Sequence, residues 1–422
     1  MTGRGPVSRF ARDVVIVGGC GHVGLPLAIS LAAEGLRVAI YDISAQAVDT
    51  VNAGRMPFAE PGAGQSLRRA VEAGHLVAST DPAMVATAEH VIVVITGRTG
   101  AEAERPPGPG GGLAGPAAGF AADLGPESIG TALADCADQF RDGQILILRS
   151  TVSPGTTASA EKLIARLGID MDVAFCPERI AEGRAMTELR ALPQIVASRS
   201  ARGLERASRL FARLTPSLVP LSVEEAELAK LFTNAWRYIR FAAANQFYMI
   251  ASDLGLDYER IRQGLMQGYP RASDLAPAGF AAGPCLLKDT VGLAAASEQF
   301  PLGRAAIEVN QGLPGYLTER LATRFALAET TVGILGMAFK GGSDDTRASL
   351  SYDLAALLRT RARAVLCTDP LVTGDPDLLP LRTVLDAADV LVIAAPHSQY
   401  RDLRTAKPVI DIWNVLGHGV LA

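Results

Sequence analysis

Short, wholly apolar runs alternate along this chain with longer stretches in which apolar residues recur at helical spacing. Residues 13–18 (DVVIVG), 36–42 (LRVAIYD), 90–95 (HVIVVI) and 144–148 (QILIL) are aliphatic, β-branched runs bounded by Gly, Asp or polar residues. Such runs predict strands buried on both faces, as in a parallel sheet. Residues 24–34 follow the first run with a helical pattern. Strands alternating with helices predict an α/β chain whose N-terminal part is a doubly wound, Rossmann-type parallel sheet. From Thr331 the pattern restarts: TVGILGMAF reads as a strand and a glycine turn, AVLCTDP as a strand ending in an acid, and DVLVIAAPH as a further strand. Between the two patterns, residues 224–254 contain neither Gly nor Pro and predict one long central helix. The expected organisation is a nucleotide-binding sheet over 1–215, a helical middle over 216–315 and a second Rossmann-like sheet over 316–422.

One stretch breaks the alternation. From Arg105 to Gly119, 10 of 15 residues are Gly or Pro, a composition that reads as a surface loop or as a flap over a site.

Composition narrows the class. The chain has 422 residues, 49% hydrophobic and 20% charged, enough for more than one packed domain. Aromatics are only 5%, so aliphatic side chains must fill the core. The net charge is −4 and no block of like charge stands out, which argues against nucleic-acid partners. No apolar run reaches the roughly 20 residues of a membrane span, and residues 1–12 are polar and basic, unlike a signal peptide. The five cysteines (Cys20, Cys136, Cys176, Cys285 and Cys367) are far apart and odd in number. They suggest neither disulfide staples nor a metal site, and the five histidines are scattered. A reducing, cytoplasmic compartment is the expectation.

The first chemical motif is Gly19-Cys20-Gly21-His22-Val23-Gly24, a GxGxxG that follows a strand and opens a helix. The first Gly permits a tight turn, the second lets backbone approach a pyrophosphate, and the third allows close helix–strand packing. The helix start then offers free N–H groups to phosphate. Asp42 ends the next strand 23 residues after Gly19, where a carboxylate binds ribose hydroxyls and repels a 2′-phosphate. The cofactor expected is NAD, held by Gly19, Gly21, His22, Val23, Gly24 and Asp42.

Several polar fragments follow. Gly279-Phe280-Ala281-Ala282-Gly283-Pro284-Cys285 leads into Lys288 and Asp289, which sets a thiol in a glycine-rich turn beside charge. Ser150-Thr151 stands at a strand end, where ligand sites form. Pro177-Glu178-Arg179 through Glu182 puts two carboxylates four apart, and Lys230 and Asn234 stand four apart on the long helix. Phe339-Lys340 and Asp344 to Arg347 follow the second glycine turn. Each fragment alone has a plainer reading: a buried thiol, a solvated helix face, surface polar residues, a loop ion pair.

Together and in this order, the fragments resemble the UDP-glucose/GDP-mannose dehydrogenase family over essentially the whole chain, Glu60-Pro61-Gly62 included. The resemblance implies oxidation of a sugar-nucleotide primary alcohol to a carboxylate by two NAD, through a thiohemiacetal and then a thioester on a cysteine. It implies Cys285 as nucleophile, with Lys230 and Asn234 on the substrate oxygen. Asp289 with Thr151 would position water or move a proton, and Glu178 would assist hydrolysis or a proton relay. Glu182 and Lys288 would line the cofactor side of the cleft. Phe280, Gly283, Phe339, Lys340 and Arg347 would meet a sugar nucleotide, a UDP-sugar above all, and Arg271 is a further candidate for its phosphate. Lys288-Asp289 after the cysteine looks like the hexose branch, whereas Pro177-Glu178-Arg179 and Tyr269-Pro270-Arg271 look like the N-acetylhexosamine branch. Residues 96–100, after the strand at 90–95, lack the Thr-Pro pair common there, so a remodelled loop is expected. A homodimer through the long helix is the default assembly. Two other readings stay open: a two-electron NAD-dependent hydroxy-acid dehydrogenase with Cys285 as bystander, and a nucleotide-binding sensor without turnover.

Overall fold

The computed structural model describes residues 9–95 and 126–418; the Gly/Pro-rich stretch and the loop at 96–100 lie outside the described residues. The chain packs as two compact units, 1–232 and 233–422.

The first unit threads β1 (Arg12–Val17), α1 (Gly24–Ala33), β2 (Val38–Tyr41), α2 (Ala45–Asn52), α3 (Ala63–Glu72), β3 (Leu76–Ser79), β4 (Ala88–Val93), α4 (Pro126–Asp135), β5 (Ile145–Leu148), α5 (Thr156–Leu167) and β6 (Asp172–Phe175). The six strands form one parallel sheet in the order β3-β2-β1-β4-β5-β6. This is the Rossmann order, and it reverses direction between β1 and β4. The apolar runs work as expected because successive residues face opposite sides. Val14, Ile16, Ile92, Ile145 and Ile147 pack into one core layer with α1, α3 and α7, the last described below. Val15, Val17, Val91, Val93, Leu146 and Leu148 pack into the other layer with α4 and α5. Leu25, Leu27, Ile29 and Leu31 of α1 are all 0% exposed, so that helix is apolar on every side. Each contributes about 1.5–3 kcal/mol of burial, which fixes the glycine turn before it.

After the sheet come α6 (Ala185–Ala191), β7 (Gln194–Val196), α7 (Ala201–Phe211) and β8 (Leu218–Pro220), with β7 and β8 as a parallel two-stranded ribbon. Then α8 (Val223–Asp253) runs 31 residues. Its first residues belong to the first unit: buried Glu227 accepts hydrogen bonds from Gly155 N–H, Thr157 N–H and the Thr157 hydroxyl at 2.6–2.8 Å, capping α5 from a neighbouring helix. The division between units falls inside α8, at Phe232.

The second unit continues with α9 (Tyr258–Met266), α10 (Pro284–Ala296), α11 (Pro301–Arg324), β9 (Thr331–Leu335), α12 (Leu350–Arg359), β10 (Ala364–Thr368), α13 (Leu381–Ala387), β11 (Val390–Ile393) and β12 (Val409–Asp411). Its four strands are parallel in the order β10-β9-β11-β12. Val332, Ile334, Val390 and Val392 face the larger core, shared with α8, α11 and α12, while Leu335, Leu391 and Ile393 face the opposite side. Among the described residues no helix is long and apolar enough to cross a membrane.

Candidate active site

The glycine turn of the first unit is built in unequal steps. The left-handed conformation falls on Gly18 (φ +74°), one residue before the glycine expected to need it, and a side chain there would strike the Val94 carbonyl at 2.4 Å. Gly19 and Gly24 press together: a Cβ on Gly24 would lie 2.6 Å from Gly19 Cα. That contact is the close helix–strand packing expected of the third glycine. A Cβ on Gly21 would meet nothing within 4 Å, so the turn is open at the position assigned to the pyrophosphate. Val23, the residue before α1, gives the helix no side-chain cap, although Leu25 N–H already donates to the Gly21 carbonyl at 3.0 Å and Pro26 has no N–H to offer. Nδ1 of His22 is buried without a hydrogen-bond partner, while its ring stacks on Phe58 at 3.9 Å. Asp42 Oδ2 accepts from Cys20 N–H at 2.9 Å and Oδ1 from Ser44 N–H at 3.0 Å, so the acid is locked against the turn with lone pairs to spare for ribose hydroxyls. These residues fit NAD: an open glycine, a helix start without a side-chain cap and a carboxylate at the end of β2.

Residues 176–184, which a four-residue carboxylate spacing allowed as a helix, form an irregular loop after β6. Glu178 is buried in it. One carboxylate oxygen pairs with the fully buried Arg149, and Oε1 accepts from the N–H of Arg179 (2.7 Å) and Ile180 (2.9 Å). Arg149 also donates to Gln194 Oε1 (3.0 Å) and the Cys176 carbonyl (3.1 Å) and lies over the Phe211 ring. A proton relay through Glu178 therefore competes with an ion pair that holds the loop. Glu182 is half-buried in the same loop. The loop's end is gripped by Glu60, whose carboxylate accepts from Gly183 N–H (3.0 Å) and Ala185 N–H (2.9 Å) across more than a hundred residues of chain. Thr151 is half-buried just past the end of β5.

In the second unit the chain turns into α10 at Gly283 (φ +96°) and Pro284, and Cys285 occupies the first turn of the helix. A helix start carries unpaired N–H groups and favours negative charge, the setting in which a thiolate is stabilised. Cys285 is exposed and the other four cysteines are buried. Burial pushes those four thiols up, Cys20 and Cys176 to about 12 and Cys136 and Cys367 to about 11. Lys288 and Asp289 stand one turn further along α10. Asp289 is 0% exposed and its Oδ2 accepts from Asn234 Nδ2 of α8 at 2.5 Å. Lys230, half-buried, lies one turn earlier on α8.

The residues expected against the sugar nucleotide fall into two groups. Gly283, Phe339, Lys340 and Arg347 converge. A Cβ on Gly283 would meet the Phe339 ring at 2.5 Å, and Lys340 Nζ lies 5.4 Å from that ring's centre. Gly283 N–H donates to the carbonyl of Ala348, itself held at φ +50°. Arg347 forks onto Asp345 at 2.5–3.0 Å rather than onto Asp344. The other two lie apart from these. Phe280 is 3% exposed and packs in the core of the second unit, where an aromatic ring buries most area. Arg271 is exposed in a short turn, donating to the Tyr269 hydroxyl (2.8 Å) and lying over that ring.

Sequence reasoning passed over three supports. Arg149 is hidden because its partner is 29 residues away, although an arginine inside an apolar strand end is itself a signal of pairing. Asn245, 11 residues after Asn234 and so three turns along the same face of α8, bonds to Gly279. The acid at the end of the second sheet's β10 strand, Asp369, accepts from the N–H of Met337 and Ala338 and from His397 Nε2 at 3.0 Å, so it is consumed in holding the second glycine turn.

Sequence profiles of one family match the chain in three segments: the NAD binding domain of the UDP-glucose/GDP-mannose dehydrogenase family over residues 13–215, its central domain over 224–312 and its UDP binding domain over 333–418. The UDP-N-acetyl-D-mannosamine dehydrogenase of Pyrococcus horikoshii is 30% identical over 402 residues, 92% of this chain and 90% of that one. The solved structure of UDP-D-ManNAc dehydrogenase from the same organism superposes with a TM-score of 0.81 at 26% identity, covering 96% of each chain. A UDP-glucose dehydrogenase from Pyrobaculum islandicum gives 0.79 at 26% identity, covering 97% of this chain and 96% of that one. The chain therefore belongs to the UDP-glucose/GDP-mannose dehydrogenase family and is an NAD-dependent nucleotide-sugar dehydrogenase.

Proposed function

We propose that this enzyme carries out the four-electron oxidation of a UDP-N-acetylhexosamine, of the N-acetylmannosamine type, to the uronate, with Cys285 as covalent nucleophile. The observation that carries the reading is the exposed thiol at the first turn of α10, followed one turn later by a buried Asp289 that Asn234 holds. The full-length likeness to relatives named for UDP-N-acetyl-D-mannosamine supports the sugar.

Gly19, Gly21 and Asp42 would hold NAD, which would supply the hydride acceptor for each of the two oxidations, two equivalents per sugar. The Cys285 thiolate adds to the aldehyde carbon, forming a C–S bond and placing charge on the former carbonyl oxygen. Lys230 and the second N–H of the Asn234 amide are the donors for that charge. Once the thioester is formed, Asp289 orients and deprotonates water; its attack breaks the C–S bond and returns the thiolate with a free carboxylate. Holding the carbon on sulfur keeps the aldehyde from escaping between the two oxidations. Gly283, Phe339, Lys340 and Arg347 hold the sugar nucleotide.

The enzyme acts as a homodimer. α8 exposes Trp236, Phe247 and Ile250 along one stripe with Ala243 between them, and Leu254 continues it just past the helix end, the spacing of a helix seam. It works in the cytoplasm, a reading supported by five cysteines of which none is in a disulfide.

The test is NADH released per molecule of UDP-N-acetylmannosamine, UDP-N-acetylglucosamine, UDP-glucose and GDP-mannose. Two NADH from UDP-N-acetylmannosamine, with little from the others, is expected. One NADH per molecule points to a two-electron dehydrogenase, and NAD binding without turnover of any of them points to a sensor.

A further inference from the structure

The segment that carries Cys285 is gripped on both sides by one helix. Asn245, at the middle of α8 and 0% exposed, meets Gly279 with both halves of its amide. Its Oδ1 accepts from Gly279 N–H at 2.9 Å and its Nδ2 donates to the Gly279 carbonyl at 3.0 Å. Nδ2 donates a second bond to Asn310 Oδ1 at 2.9 Å, and Asn310 Nδ2 donates to the Tyr238 carbonyl at 3.0 Å, which returns the chain of bonds to α8. Asn310, on α11, is also 0% exposed. A buried amide costs stability unless its donors and acceptor are used, and here they are. A position that only needed packing on this face is met by an aliphatic residue, as Ala244 and Ala251 nearby meet it.

The place of the bond matters more than its strength. Gly279 takes φ +149°, with the Trp413 ring 2.5 Å from where a Cβ would sit. Backbone with so few alternatives of its own is fixed by what holds it. Six residues later comes Cys285, and four after that Asp289, which Asn234 holds from the same helix. Asn234 and Asn245 are three turns apart on one face of α8, so one helix holds the segment on both sides of Cys285 in sequence, at Gly279 and at Asp289.

We infer that Asn245, seconded by Asn310, is a positioning residue for Cys285: it sets the register of residues 279–283 and so seats the sulfur at the start of α10. The inference rests on the reading of Cys285 as nucleophile only for its catalytic consequence. Asn245 reaches the sulfur through the loop and does not touch reacting atoms.

The variant is Asn245→Asp, which keeps the shape and the acceptor and loses both donated bonds. Its first readout is the rate at which iodoacetamide alkylates the Cys285 peptide, followed by mass spectrometry with neither NAD nor sugar nucleotide present. That rate should fall about tenfold as the sulfur leaves the helix start. Under turnover kcat should fall by a similar factor, while KM for NAD stays within about twofold. A folded variant alkylated as fast as the native enzyme, or faster, overturns the inference, as does a KM for NAD that rises in step with the loss of kcat. If the variant does not fold, Asn310→Ala is read in the same way, with a fall of about threefold expected and an unchanged rate overturning. Native acid formation by Cys285→Ser would remove the nucleophile reading alone, since the alkylation result stands without it.

Discussion

The thiol of Cys285 is exposed because Gly283 and Pro284 turn the chain into α10 directly before it, with Phe339 filling the space where a Cβ on Gly283 would be. The four other cysteines sit in the cores with their thiols pushed up by burial, so none offers a ready substitute. Cys285→Ser keeps the size of the side chain and removes the thiolate. The first oxidation should survive it while acid formation falls by at least about a hundredfold, with NAD affinity unchanged because the glycine turn and Asp42 belong to the other unit. Quench-flow measurement of aldehyde and acid checks this, and native rates of acid formation would remove the covalent mechanism. Asp42, in its own unit, fixes the turn through Cys20 N–H and keeps lone pairs with which a ribose hydroxyl could be met.

At the scale of elements, the two sheets use the same local plan for different ends. Each has a strand, a glycine turn and an acid at the tip of the next strand. In the second sheet the acid, Asp369, is wholly buried with His397. Nδ1 of His397 accepts from Gly342 N–H at 3.3 Å, so Nε2 carries the proton that it donates to Asp369. Burial pushes this carboxyl up, but the hydrogen bonds from His397 and from Ala338 N–H outweigh it and hold the group down at about 2 against an ordinary 3.8. A carboxyl depressed in the folded state stabilises the fold above its ordinary value and loses that contribution as pH falls through the folded one. The contribution is on the order of 2 kcal/mol at neutral pH and should vanish between about pH 4 and pH 2. Urea unfolding of native enzyme and Asp369→Asn should differ by that amount at pH 7 and converge near pH 2; curves that stay parallel across this range would show that Asp369 does not carry the acid sensitivity. The turn it holds leads into Phe339 and Lys340, so this pair supports the assigned sugar-nucleotide loop.

For the whole molecule, α8 is the element with most to do. It caps α5 through Glu227, presents Asn234 and Asn245 to the cysteine segment, and leaves an apolar stripe in water. An exposed stripe of that kind is costly unless covered. Ile250→Glu together with Trp236→Glu should convert a dimer to a monomer in sedimentation velocity at micromolar protein; a native monomer, or a double variant that stays dimeric, removes the α8 interface.

What could be read beforehand followed from distance along the chain. The strands were legible because a parallel strand is buried on both faces and so is apolar without a break, as in residues 90–95. The glycine turn and Asp42 were legible because turn, helix start and next strand lie within one short unit. Lys230 and Asn234 were legible as a pair because a helix brings every fourth residue to one face. Less was legible where two apolar or polar positions competed for one role. An aromatic in a glycine-rich segment serves either ligand or core, and Phe280 is buried among core residues. Arg347 had two adjacent acids to choose from, and the loop's backbone chose Asp345.

By itself, then, the sequence determined the elements, their parallel arrangement, the cofactor turn and the set of polar residues that mark the family. Periodicity, turn chemistry and helix spacing act within a few residues, and their energies do not wait on the fold. The tertiary structure decided which buried charges and amides meet: Arg149 with Glu178, Glu60 with Gly183, Asn245 with Gly279, His397 with Asp369. Those partners lie 28 to more than a hundred residues apart. Each must be paired once water is removed, and only the packing of the cores settles which partner is within reach.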